Sequence, residues 1–247
     1  MITPPISLLA CQTILQKRLY QIGFTLTGIL LGYAVLVLFK SHFYPRMQQY
    51  SWFLSTASLI GGFLAVVGVI GQGVITLHLD FLRNIKSVDG VTPAVGMTPQ
   101  DMWHQQLALV FFVGAAVHTY ATTWFSFHGE GRIPPAGAQG GSSGASPQQP
   151  TTPQERLFST NSRLVKTICV IVSLLSAPIA EMYHPTRQIG NESGPLGNKR
   201  MVNVIGLTQY LAVGAYIIFF GSYSLDLRRM RQLQQQKAAS SKEKKHG

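Results

Sequence analysis

Acidic side chains are scarce in this chain: nine Asp and Glu against twenty Lys and Arg in 247 residues. Charged residues of both signs make up only 12% of it and apolar ones 46%, too little charge to cover the surface of a soluble domain. Cysteine is nearly missing as well. Cys11 and Cys169 are the only two, and without a CxxC pair they exclude a disulfide framework and a thiolate zinc site; Cys11 remains a candidate for lipid attachment. No GxSxG elbow, HExxH or P-loop is present, so an acyl hydrolase, a zincin or a nucleotide hydrolase finds no motif to stand on. Residues 1–20 lack the basic start and small-residue cleavage site of a signal peptide and are expected to be retained.

What the chain does have is apolar length. About 20 helical residues cross the hydrocarbon core of a bilayer, and five stretches reach that length, at about 21–39, 51–77, 105–127, 164–183 and 202–225. The expectation is an all-α, five-span transmembrane helical bundle over 21–227. It is preceded by an interfacial segment, 1–20, and followed by a basic tail, 228–247. The connection SHFYPRMQQY reads as a short turn, which makes the first two spans antiparallel neighbours. Residues 128–161 contain GAQGGSSGASPQQPTTP, a tract too poor in apolar surface to offset its ordering entropy, and are predicted to be a disordered loop. Pro178 is expected to kink the fourth helix. The small-residue pairs Ser58/Gly62, Gly61/Ala65, Ser173/Ala177 and Ser176/Ala180 are assigned to helix packing within the chain.

The net charge of +11 does not point to nucleic acid, because the basic residues flank the spans and form a tail instead of clustering with aromatics. With five spans, thirteen Lys and Arg fall on the tail side and seven on the other, which places the tail in the cytosol. Lys17 and Arg18, directly before the first span, pull the other way. The tail is expected to attract anionic membrane lipid. The sequon Asn191-Glu192-Ser193 then falls on the lumenal face as a glycosylation site.

That orientation brings three acid and histidine pairs to the lumenal boundary: His78 with Asp80, Asp101 with His104, and Glu181 with His184. On a helix, positions three apart share a face, so Asp101/His104 and Glu181/His184 suit a divalent metal, while all three histidines suit a pH sensor in an acidic lumen or simply the wet ends of helices. The last is the reading adopted, with no metal. His118 and Gln209 are polar positions inside spans. His118 follows His104 by four turns, the spacing of two stacked haems, but no second helix supplies two matching ligands. No cofactor is therefore expected, and His118 is read as a neutral side chain bonded to Thr122 or to a neighbouring helix. Asp226, beside Arg228 and Arg229, is read as a solvated helix end.

The third and fifth spans resemble those of the DRAM/Sfk/Frag family of multispan membrane proteins, which includes the damage-regulated autophagy modulators. In HQQLALVFFVGAAVHTYATTWFSF, His104, Phe112, Gly114, Thr123, Ser126 and Phe127 fit the family's helix without a gap. In TQYLAVGAYIIFFGSYSLDL, Gln209-Tyr210, Tyr223 and Asp226-Leu227 fit its last one, and Arg163 fits ahead of the fourth span. Gln209 stands where the family has Glu, Thr122 where it has Gln and His118 where it has an aromatic. The similarity covers roughly residues 55–230; the family pattern has six spans and an acidic-polar motif between the first two that SHFYPRMQQY lacks. The resemblance implies a non-enzymatic multi-pass protein of lysosomal or other endomembranes, acting in autophagy through lipid and protein contacts. Its Frag branch implies an alternative, a lipid-remodelling factor of the GPI-anchor maturation kind, with its chemistry in the lumenal cluster.

Overall fold

The computed structural model of the protein describes residues 13–41, 43–77, 98–129, 158–182 and 199–246, without the side chains of 177–182, 199–203, 205, 233–234 and 236–246. The described elements are all helical: α1 (Ile14–Lys40), α2 (Phe43–Tyr50), α3 (Trp52–Val74), α4 (Pro99–His128), α5 (Thr160–Met182) and α6 (Lys199–His246). Four stretches among the described residues, in α1, α3, α4 and α6, are long and apolar enough to cross a membrane. Leu26, Leu30, Tyr33, Phe63, Val113, Ile171, Leu175, Ile217 and Ile218 face outward from the bundle. Water would not tolerate such a girdle and lipid does. The protein is a multispan helical membrane bundle.

The helices begin where the local chemistry directs. Thr13 caps α1 by accepting from the Gln16 amide, and Ser51 caps α3 by accepting from Leu54. Thr98 and Asp101 form a reciprocal capping box with Pro99 in the first turn, so α4 starts six residues before the predicted span. α1 also starts early and takes in residues 14–20, part of the expected interfacial segment, as one helix with the first span. The expected turn between the first two spans contains α2. Its Phe43, Tyr44 and Met47 are buried while Pro45, Gln48 and Gln49 are exposed, so the little helix lies across the bundle end with its apolar side inward. α5, the predicted fourth span, continues past Pro178 to Met182. α6 is the largest departure: its 48 residues run unbroken from the last span through the basic tail. The loop tract 130–157 lies outside the described residues.

α3 packs along α4 and α1, and α5 packs along α6. In lipid the hydrophobic effect does not drive helices together, so close van der Waals fit must. Glycine provides it at the α3–α4 contact: a Cβ on Gly114 would fall 2.7 Å from the Gly61 carbonyl oxygen and from Ala65 N, and one on Gly68 would fall 2.4 Å from Phe111 N. Ser58, Gly61, Gly62 and Ala65 are all buried in this seam, so these small residues pack within the chain. Leu31, Ala65, Val69, Phe111, Ala115 and Tyr216 form the middle of the core, and Leu38, Phe43, Met47, Phe125, Phe158 and Phe219 belong to the part nearer the basic tail.

Candidate functional site: a buried polar core at the tail end

All the described helices but α1 contribute a polar side chain to one region of the tail-proximal core. α4 carries His118 at its centre, fully buried. Its Nδ1 lies 2.8 Å from the Ser58 carbonyl oxygen and 3.1 Å from Ser58 Oγ on α3. A carbonyl only accepts, so Nδ1 carries the proton and Nε2 is left to accept from the Tyr223 hydroxyl of α6, 2.9 Å away. The Tyr223 oxygen also lies 3.0 Å from Thr122 Oγ1, and Thr122 donates back to the His118 carbonyl at 2.8 Å. From α2, the Tyr44 hydroxyl reaches Ser58 Oγ at 3.1 Å. Burial pushes the Tyr44 phenol up to about 12, against the opposing effect of the Ser58 bond, so Tyr44 stays protonated at any physiological pH. Gly62 makes room for the imidazole: a Cβ there would stand 3.0 Å from His118 Nδ1.

Beside this chain of hydrogen bonds lies an ion pair. Lys166 of α5 and Asp226 of α6 are paired with no exposed side-chain surface on either. The Lys166 ammonium also donates to Ser162 Oγ at 2.9 Å and sits over two rings, 5.3 Å from the centroid of Phe158 and 5.0 Å from that of Tyr223. Phe43 closes the chamber, with its ring 5.6–5.8 Å from those of Phe125, Phe158 and Tyr223. Tyr223 thus belongs to both systems, its hydroxyl to the His118 network and its ring face to Lys166. Buried charges survive in an apolar interior only when paired and hydrogen-bonded, and this pair meets the condition on the lysine side. On the other, Asp226 Oδ1 has no hydrogen-bond partner.

These positions correct one expectation. Asp226 is not a solvated helix end but a buried partner of Lys166. His118 bonds to neighbouring helices through its ring, with Thr122 on its carbonyl. Gln209 is half-buried on α6, two turns before Tyr216 and away from this core. Asp101 and His104 lie at the opposite end of the bundle. There Asp101 is engaged in the capping box, and His104 Nδ1 donates to the Ile75 carbonyl at 2.6 Å. His78, Asp80, His184 and Asn191 lie outside the described residues, as does the Glu181 side chain. Among the described residues no three His, Cys, Asp or Glu side chains come together as metal ligands would.

Both Tyr223 and Asp226 stand at positions of the last-helix pattern noted in the sequence, and here they anchor the core. The family model described as the Frag1/DRAM/Sfk1/Cwh43P N-terminal domain matches residues 2–230. The chain belongs to this family. The match reaches back through α1 and α2, so the amino-terminal third, where the motif resemblance stopped, is part of the family domain as well. No curated protein and no solved structure matches the chain. For this Frag1/DRAM-family member the buried pair and the His118 network come from its own geometry.

Proposed function

We propose that the protein is a non-enzymatic multi-pass component of lysosomal or other endomembranes, akin to the autophagy modulators, that acts through protein and lipid contacts with its α6 extension on the cytosolic side. The observation that carries this reading is the continuity of α6. Arg228, Arg229 and Arg231 follow within about a turn and a half of the buried Asp226 on the same helix, where a span would leave the bilayer. Each Lys or Arg held near an anionic leaflet contributes about 1 kcal/mol of attraction. In reconstituted vesicles, a fluorophore at the end of α6 should sit closer to a membrane containing phosphatidylserine than to one of phosphatidylcholine alone. It should move away as salt rises or when the three arginines become Gln. Indifference to lipid charge would defeat the lipid part of the proposal.

The compartment and orientation are tested together. A mobility shift on PNGase F treatment that is lost in Asn191→Gln supports a lumenal Asn191 and a cytosolic tail, and resistance to Endo H supports a location beyond the Golgi. A second reading, as a lipid-remodelling factor, rests on the cluster to which Asp101 and His104 belong, both buried one turn apart at the end away from the tail. Alanine at His104, Glu181 and His184 separates the two: loss of a lipid product from a folded variant supports remodelling, and an unchanged lipid profile supports the contact role.

A further inference from the structure

The end of the bundle away from the basic tail is polar inside, and two of its donors are unused. Gln72 lies one turn beyond Gly68 on the face of α3 that meets α4, and Thr76 follows just past the end of that helix. Gln72 is 5% exposed and Thr76 1%, yet Gln72 Nε2 and Thr76 Oγ1 have no hydrogen-bond partner. Their neighbours are engaged elsewhere. Gln100 Nε2 donates to the Thr76 carbonyl at 2.6 Å and His104 Nδ1 to the Ile75 carbonyl at 2.6 Å, which pins the end of α3 to the first turns of α4. Tyr20 of α1 flanks the same place, its ring 6.1 Å from that of His104. Buried donors are costly to leave unpaired, and costlier at membrane depth where water is scarce. Two such groups four residues apart, one in the last turn of α3 and one just past its end, point to a missing acceptor.

The surroundings narrow what that acceptor is. The unused groups are an amide N–H and a hydroxyl, both able to donate to an oxygen. Lys17, half-buried, and Arg18, exposed, lie within one turn of Tyr20 on α1 and supply positive charge at the same end. The depth is that of the bundle edge, where α3 ends at Val74 and α4 begins at Pro99, which is the level of lipid headgroups. We propose that Gln72 and Thr76 form a seat for one phosphate-bearing headgroup, the phosphodiester of a membrane phospholipid entering where α1, α3 and α4 converge. The seat is independent of the tail contact and would hold in either functional reading.

Native mass spectrometry of the purified full-length protein tests this. After a delipidating wash, phosphatidylcholine, phosphatidylserine or inorganic phosphate is added back. The wild type should retain one phospholipid, and Gln72→Met/Thr76→Val, which keeps side-chain size and removes both donors, should retain about tenfold less, the loss expected for one good hydrogen-bonded contact. Added phospholipid should raise the thermal midpoint of the wild type and not that of the double variant. Equal retention by both proteins overturns the proposal, and displacement of the lipid by inorganic phosphate overturns its lipid identity. If the double variant does not fold, Thr76→Ser and Thr76→Val provide the same contrast. The adduct persists with the hydroxyl kept and falls with it removed, and no difference between the two overturns the seat.

Discussion

Lys166 and Asp226, sixty positions apart, meet across the α5–α6 interface with neither side chain exposed. The pair joins two helices that lipid alone has little reason to hold together. It also sets the ring of Tyr223 between the lysine ammonium and the His118 network, so Tyr223 links the α5–α6 half of the bundle to the α3–α4 half.

Breaking that pair on one side should be far worse than removing it. Lys166→Ala or Asp226→Ala strands a buried charge, at a cost of about 3–5 kcal/mol, and should lower the melting midpoint in detergent or abolish a monodisperse elution peak. Lys166→Met combined with Asp226→Leu removes both charges and should recover most of the loss. A double variant as unstable as either single one would show that the pair does not act as a unit.

The α3–α4 seam should tolerate nothing larger than hydrogen at Gly114 or Gly68, since a Cβ would sit within 2.7 Å of backbone atoms of the partner helix. Gly114→Val is expected to yield no folded protein, because two packed backbones would have to separate. Gly214 and Gly221 on α6 have open space where a Cβ would go. Alanine there should be neutral or raise stability by about 0.5–1 kcal/mol through helix propensity. The yield of monodisperse Gly114→Val in detergent and the melting midpoints of Gly214→Ala and Gly221→Ala check both halves of the statement.

Replacing His118 with Phe keeps a ring stacked against Phe220, which is nearly parallel to it at 5.3 Å, but removes the imidazole's bonds to Ser58 and Tyr223, which keep Tyr44 and Thr122 as partners. The expected cost is about 1–3 kcal/mol. Tyr223→Phe should cost less in this background than alone, because the hydroxyl it removes then keeps only its Thr122 contact. The coupling, read from thermal midpoints of the single and double variants, is the quantity to measure.

Thr98→Ala removes one side of the capping box that starts α4 and should destabilise the protein by about 1 kcal/mol. Hydrogen exchange should be faster at Asp101 and the amides near it, with the α6 amides unchanged. Uniformly faster exchange would mean that the cap supports the whole bundle.

Membrane class and most span positions were legible because apolar length is a local property that no tertiary contact can disguise. His118 was legible to the extent that a buried imidazole needs partners, although Ser58 and Tyr223 are sixty and 105 positions away and no spacing rule names them. Asp226 was misread for a related reason. It stands at the end of an apolar run beside Arg228 and Arg229, and only the antiparallel packing of α5 on α6 shows that Lys166 faces it. α2 was passed over because eight residues containing Pro45 give too short a periodic signal, whereas the buried faces of Phe43, Tyr44 and Met47 make the helix obvious in three dimensions.

The continuity of α6 has a mechanical side. From Asp226 to His246 a helix rises about 30 Å, and its near end is fastened at Lys166 and Tyr223. Such an arm transmits rotation in both directions. A tilt of about 10° at the bundle would swing its tip by about 5 Å on the same helical rise. A partner or a charged leaflet holding the tip would apply torque to the joint between the two halves of the bundle. The basic segment is then a lever with its fulcrum in the buried ion pair, and contact at its far end reaches the core of the membrane domain.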